Sequence, residues 1–187
     1  MRPNKAEKNF LNLSYNKFYD IFDEILDESF WNKKDTYRFN KIKQIFSIYA
    51  ELLNYKPITW VIEHIKKKRP PVEAEIGSEF FKFIRNVVTH FPYFDTWNNV
   101  WIDKNIVNWN KRGLTVDKFL TKYDNHQDVK YRVWFGEKKE MMYLSIKFPK
   151  GYSKKKKVYL KDLLDEKKGV MFSIVFMRKV LDTQVEK

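Results

Sequence analysis

Along the first half of the chain, apolar residues recur at intervals of three and four, the spacing that gathers side chains onto one face of a helix. Leu11, Phe18, Ile21, Phe22, Ile25 and Leu26 do so within residues 6–31, with Asp20, Asp23, Glu24 and Asp27 on the other face. Ile42, Ile45, Phe46, Tyr49, Leu52 and Leu53 repeat the pattern until Pro57, and residues 60–68 have room for a short third helix. Lys66, Lys67, Lys68 and Arg69 run into Pro70 and Pro71, which lack N–H donors and restrict their predecessors, so this stretch reads as an exposed connector. A helix restarts near Val72 with Ile76, Phe80, Phe83, Ile84, Val87 and Val88 on its apolar face, and Pro92 stops it by pushing Phe91 from helical angles.

The period then becomes less regular. Trp97, Trp101, Ile102, Ile106 and Trp109 predict a short helix within residues 91–109, and Thr115 is placed to cap another over residues 116–123. From Val129 the alternation is strict: Val129, Tyr131, Val133 and Phe135, then Met142, Leu144, Ile146 and Phe148, across a turn at residues 136–140. This is the signature of a β-hairpin, whose apolar face must pack on helices or on another chain, because two strands alone are marginal in water. A final helix is predicted over residues 158–181, with a third strand as the rival reading around the β-branched Val170, Ile174 and Val175. The elements add up to a mainly α protein, a single domain over residues 1–187 with a hairpin insertion at about 129–148.

Composition narrows the class. Apolar residues make up 43% of the chain, with 16 Phe, 11 Tyr and 6 Trp against five Gly, which favours a packed core over a disordered basic tail. There is no cysteine, which removes disulfides and thiolate metal sites. The opening Met1-Arg2-Pro3-Asn4-Lys5 carries no apolar signal segment, and the longest apolar stretch, 170–177, is interrupted by Ser173, so a cytoplasmic protein with no membrane association is expected. The formal charge of +13, from 37 basic and 24 acidic residues, sets up a field that draws in anionic partners, nucleic acid among them.

Against that charge, Arg85-Asn86-Val87-Val88-Thr89-His90 stands at the C-terminal end of an amphipathic helix. An imidazole titrates near neutrality, with a reference pKa of about 6.5, and a guanidinium can hold a phosphate through two parallel hydrogen bonds, so the pair suits phosphodiester chemistry without a metal or other cofactor. Asn86 lies one turn before His90 and is placed to orient the imidazole. Arg85 and His90 fall about 140° apart on an ideal helix, so they converge only if the helix unwinds near Pro92 or a second subunit completes the site.

The arrangement resembles the R-x4-6-H motif of the HEPN family, helical proteins that include metal-independent ribonucleases of toxin, phage-defence and CRISPR systems. The resemblance implies a HEPN-like bundle that dimerises so that two motifs share one cleft, with the hairpin as an addition to the minimal bundle. It also implies a stress or phage-defence setting, with a neutralising or regulatory protein as a further possible partner. In RNA the ribose 2′-OH can attack its own phosphorus, leaving a 2′,3′-cyclic phosphate, so the protein need only align, neutralise charge and move protons. DNA lacks that hydroxyl, and RNA is therefore the expected substrate. The partial negative charge at the helix end favours the imidazolium that would protonate a leaving 5′-oxygen.

Tyr93, with its neighbours Phe91, Phe94, Trp97 and Trp101, offers rings for base stacking, or equally for core packing. Two lysine-rich runs, Lys66, Lys67, Lys68 and Arg69, and Lys154, Lys155, Lys156 and Lys157, are candidates to track phosphates, or simply solvated loops. Other chemistries are thin. His64 and His126 lack zinc-ligand spacing, no glycine-rich phosphate loop occurs, and Asp23, Glu24, Asp27 and Glu28 form an acidic turn whose plainest role is solubility, with a metal site as its alternative. The rivals to the nuclease are a non-catalytic nucleic-acid-binding module and an interaction subunit that keeps the bundle without activity.

Overall fold

A computed structural model describes residues 3–91, 93–109, 114–154 and 157–183. Asn4 starts the first helix, α1 (Lys5–Leu26), through a reciprocal cap: its side chain accepts the Glu7 N–H at 2.9 Å while the Glu7 carboxylate accepts the Asn4 N–H at 2.8 Å. The helix expected to reach residue 31 ends at Leu26. Asp27 turns to extended angles there, and its carboxylate accepts the Ser29 N–H at 2.7 Å to open a 3-10 turn, Glu28–Asn32. After α2 (Asp35–Leu52), Pro57 begins rather than blocks an element. It sits in the first turn of α3 (Lys56–Lys67), where a missing N–H leaves no gap in the ladder, and Pro71 opens α4 (Pro71–His90) in the same way.

The predicted short helix over 91–109 is replaced by three smaller pieces: a 3-10 turn at Trp97–Asn99, a strand β1 (Trp101–Ile102) and α5 (Lys104–Trp109). The next helix is α6 (Leu114–Lys122), starting one residue before the Thr115 expected to cap it. The hairpin forms as predicted, β2 (Val129–Phe135) against β3 (Glu140–Ile146), in a register that pairs Val129 with Ile146 and Phe135 with Glu140.

The expected last helix is divided. Val158–Tyr159 is a strand, β4, paired antiparallel with β1; α7 (Leu160–Leu163) follows; and α8 (Glu166–Asp182) starts where the Asp165 carboxylate accepts the Lys168 N–H at 2.8 Å. The rival third strand around Val170 is not formed, since that stretch is helical.

Every residue from 169 to 175 is buried, which makes α8 the axis of the core and removes the polar positions that would have displayed a helical period. Around it lie α1, α2, α3 and the inner face of the hairpin, while α4 packs between α2 and α6. The hairpin therefore finds its cover on the helices of its own chain. Tyr131, Val133, Leu144 and Ile146 point inward, and the Tyr131 hydroxyl donates to the Glu73 carbonyl at 2.9 Å, joining the hairpin to the start of α4. Among the described residues no helix is long and apolar enough to cross a membrane.

The loop leading to the second lysine run is held by one carboxylate. Asp124 accepts the N–H groups of Gly151, Tyr152 and Ser153 at 2.7, 3.0 and 2.9 Å and the Ser153 hydroxyl at 2.6 Å, and Gly151 takes the left-handed φ of 85° that the turn requires. Partial burial alone would raise the Asp124 pKa; the bonds from Ser153, Tyr152 and Gly151 outweigh it and hold the group at about 2. A depressed native pKa gives stabilisation that is full above the ordinary value of 3.8 and is lost as the pH falls through about 2. The stability difference between the parent and Asp124→Ala, measured by urea unfolding, is accordingly expected to be flat from neutral pH down to about 4 and to narrow below it. A difference that grows on acidification would remove Asp124 as the loop's anchor.

Candidate active site and nucleic-acid interface

Helix α4 presents Ile76, Phe80, Phe83, Ile84, Val87 and Val88 to the core, which fixes the rotation of the helix and hence where Arg85, Asn86 and His90 stand. The helix stays regular through His90, and Phe91 leaves helical angles at φ −114°, ψ 75°. The local unwinding that would let Arg85 and His90 meet within one chain does not take place before His90.

The arginine instead turns sideways. Its Nε–H and Nη2–H both donate to the Asn86 Oδ1, at 3.1 and 2.8 Å, a charge-assisted fork that carries the guanidinium around the helix toward the Asn86 face. Asn86 is four residues before His90 and lies about 40° from it on an ideal helix. It is only 4% exposed, and with Ser173 it makes up the buried polar side chains of the described residues. A buried amide needs its hydrogen bonds, so Asn86 and Arg85 hold each other in place. Thr89 adds a bond from its hydroxyl to the Arg85 carbonyl at 2.6 Å. Arg85 and His90 are both half-buried.

The segment after the motif sorts the candidate stacking rings. Phe91, Phe94 and Trp97 are core residues, and the Trp97 indole N–H donates to the Leu164 carbonyl at 3.1 Å. Tyr93 is 56% exposed, resting on Phe94 with ring centroids 4.5 Å apart, and so keeps a face for a base. Phe94 in turn meets the half-buried Trp101 edge-on at 5.9 Å, and the Lys157 ammonium lies 4.0 Å from the Trp101 ring centre. A continuous path of contacts thus runs from the end of α4 through Tyr93, Phe94 and Trp101 to Lys157. Lys43, on α2, donates to the Phe94 carbonyl at 2.9 Å and ties this segment down.

The two lysine runs separate. Lys154 closes a 3-10 turn, Tyr152–Lys154, and is exposed, as is Lys157; Lys155 and Lys156 lie outside the described residues. Lys66, Lys67, Lys68 and Arg69 stand at the other end of α4, where a rise of about 1.5 Å per residue puts Pro71 about 28 Å from His90. Lys66 pairs with Glu63 at 2.8 Å and the Arg69 guanidinium reaches the Arg132 carbonyl at 3.4 Å, while Lys67 and Lys68 are exposed. Within one chain this run is not brought to the motif. Sequence reading missed Lys43 and the Lys157–Trp101 contact. The second follows from pairing β1 with β4, which sets Trp101 opposite Tyr159, a long-range register that no local pattern announces.

Three carboxylates of the acidic turn have structural partners. Glu24 accepts the Tyr37 hydroxyl at 2.5 Å and pairs with Lys41 at 2.7 Å, Asp27 caps its turn, and Glu28 pairs with Lys167 at 2.6 Å. Among the described residues no three His, Cys, Asp or Glu side chains gather in a manner that would hold a metal ion. Comparisons of the chain with protein-family models, with curated proteins and with solved structures returned no match.

Proposed function

We propose that this protein is a HEPN-type, metal-independent endoribonuclease that acts as a symmetric homodimer, with Arg85, Asn86 and His90 of each chain at a shared cleft. The observation that carries the reading is the pair of hydrogen bonds holding the Arg85 guanidinium on Asn86, one helical turn before His90. An arginine used for solvation alone has no need of a buried amide to fix its direction. One that must meet a phosphate gains from being oriented in advance, because ordering it no longer draws on binding energy.

In the proposed reaction the RNA 2′-oxygen bonds to the adjacent phosphorus and the bond from phosphorus to the 5′-oxygen breaks. His90, protonated, gives a proton to the leaving 5′-oxygen while the 2′-OH proton passes to water. Arg85 faces the charge that builds on the phosphoryl oxygens. Products should carry 2′,3′-cyclic phosphate and 5′-OH ends, and cleavage should persist in excess EDTA. Ends bearing 5′-phosphate and 3′-OH, or activity lost on chelation, would overturn this mechanism.

Lys154, Lys157 and Tyr93 extend the cleft along the strand in this reading, in a stress or phage-defence setting. Replacing Lys154 and Lys157 with glutamine is expected to weaken RNA binding alike for different sequences and to flatten log K against log salt by about 0.7 per lost contact on single strands. The rate at saturating RNA should change little, since these groups hold backbone away from the reacting phosphate. An unchanged slope would return the run to solvation.

A further inference from the structure

Interiors of proteins are packed to the density of organic crystals and leave few voids larger than a water molecule. Between α3, α4, α8 and the hairpin this protein keeps a cleft of about 360 Å³, within the usual range of small-molecule sites. Its walls are apolar, formed by Ile62 and Ile65 from α3, Phe81 from α4, Phe172 and Phe176 from α8 and Ile146 from β3. Small residues of α4, Ala74, Gly77 and Ser78, keep it open; a Cβ at Gly77 would already touch the Tyr131 ring at 3.5 Å. The lining on α4 runs from Glu73 to Arg85, about 18 Å at the rise of a helix, so the space is a trough rather than a round chamber.

Charge is unevenly placed along it. Both lining carboxylates, Glu63 and Glu73, stand at the end with Lys66 and Arg69, where Glu63 already pairs with Lys66. The opposite end is lined by Lys82 and Arg85. Asn86 engages two of the five N–H donors of the Arg85 guanidinium, whose planar fork matches a carboxylate. A long apolar trough with a cationic end fits one chemical class: an unbranched acyl chain ending in a single negative group. We propose that this cleft binds a medium-chain fatty carboxylate, its chain along α4 against Phe81 and Phe176 and its head on Arg85 and Lys82. Because Arg85 also belongs to the proposed RNA cleft, the two ligands would compete for it, and decanoate binding is measured without RNA so that its outcome does not depend on cleavage.

Titration calorimetry on the full-length protein, with decanoate below its aggregation concentration and decylammonium as the charge-reversed probe, tests the assignment. Decanoate should bind one to one and decylammonium at least tenfold more weakly, the order of a charge-assisted hydrogen bond gained or lost. Ala74→Phe, which fills the trough, should abolish decanoate binding. Lys82→Gln, a change at an exposed position that leaves folding intact, should weaken it severalfold, and Arg85→Gln by about tenfold or more. Equal affinity for the two probes, no heat with either, or unchanged decanoate binding in a folded Ala74→Phe would overturn the proposal. So would a dimer, seen by light scattering, that Ala74→Phe dissociates, because the trough would then seat a second copy of this chain.

Discussion

His90→Ala is expected to lower RNA cleavage by about 10²- to 10⁴-fold at neutral pH, the range that a general acid or base contributes. Arg85→Ala should produce a loss of similar order by removing the charge that faces the transition state. Both side chains are half-buried, so each change should also lower stability, by about 1 kcal/mol, and far-UV circular dichroism with urea unfolding must accompany the assay. The sharper result comes from mixing. Helix α4 is regular to its last residue, so the backbone positions of Arg85 and His90 stand about 140° apart around it, and in the proposed dimer Arg85 of one chain works with His90 of the other. Two inactive variants, Arg85→Ala and His90→Ala, unfolded together and refolded as a mixture, should recover measurable cleavage, since a mixed dimer restores one intact pair. Full activity in a folded His90→Ala, or a mixture as inactive as its parts, would sink the composite site.

Most of this architecture can be read from local rules, and the exceptions share a cause. Helices α2, α3, α4 and α6 and the hairpin each have one face on the core and one in water, so periods of 3.6 and 2 are visible in their residues. The middle of α8, residues 169–175, is buried all round, and with that contrast gone Val170, Ile174 and Val175 read equally well as strand. The turn at Trp97–Asn99 and the two-residue strands β1 and β4 exist only because they meet across nearly sixty residues of chain, closed by the Leu160 N–H donating to the Val100 carbonyl at 2.9 Å. Nothing local specifies such a contact. The candidate site divides in the same way. The sequence places Arg85, Asn86 and His90 on a helix end, but Asn86 as the buried acceptor of Arg85 depends on which face of α4 the core takes up. The Lys157–Trp101–Phe94–Tyr93 path depends on the strand register.

Trp97 separates the two fates of an aromatic residue in the segment after the motif. Composition alone treats it and Tyr93 as equivalent platforms for bases; in the folded chain Trp97 is 1% exposed and its indole N–H satisfies the Leu164 carbonyl just before α8, while Tyr93 faces solvent. Trp97→Ala is therefore expected to cost about 3–5 kcal/mol in urea unfolding, a large part of the total stability of an ordinary domain. Trp97→Phe keeps most of the apolar contact but leaves the carbonyl without its donor, and should cost about 1–3 kcal/mol. Tyr93→Ala should do the opposite: a stability change within about 0.5 kcal/mol, with RNA binding weakened by about 1–3 kcal/mol for the lost stack. If Trp97→Phe proves as stable as the parent yet binds RNA more weakly, the ring belongs to the interface and the packing assigned to it here is wrong.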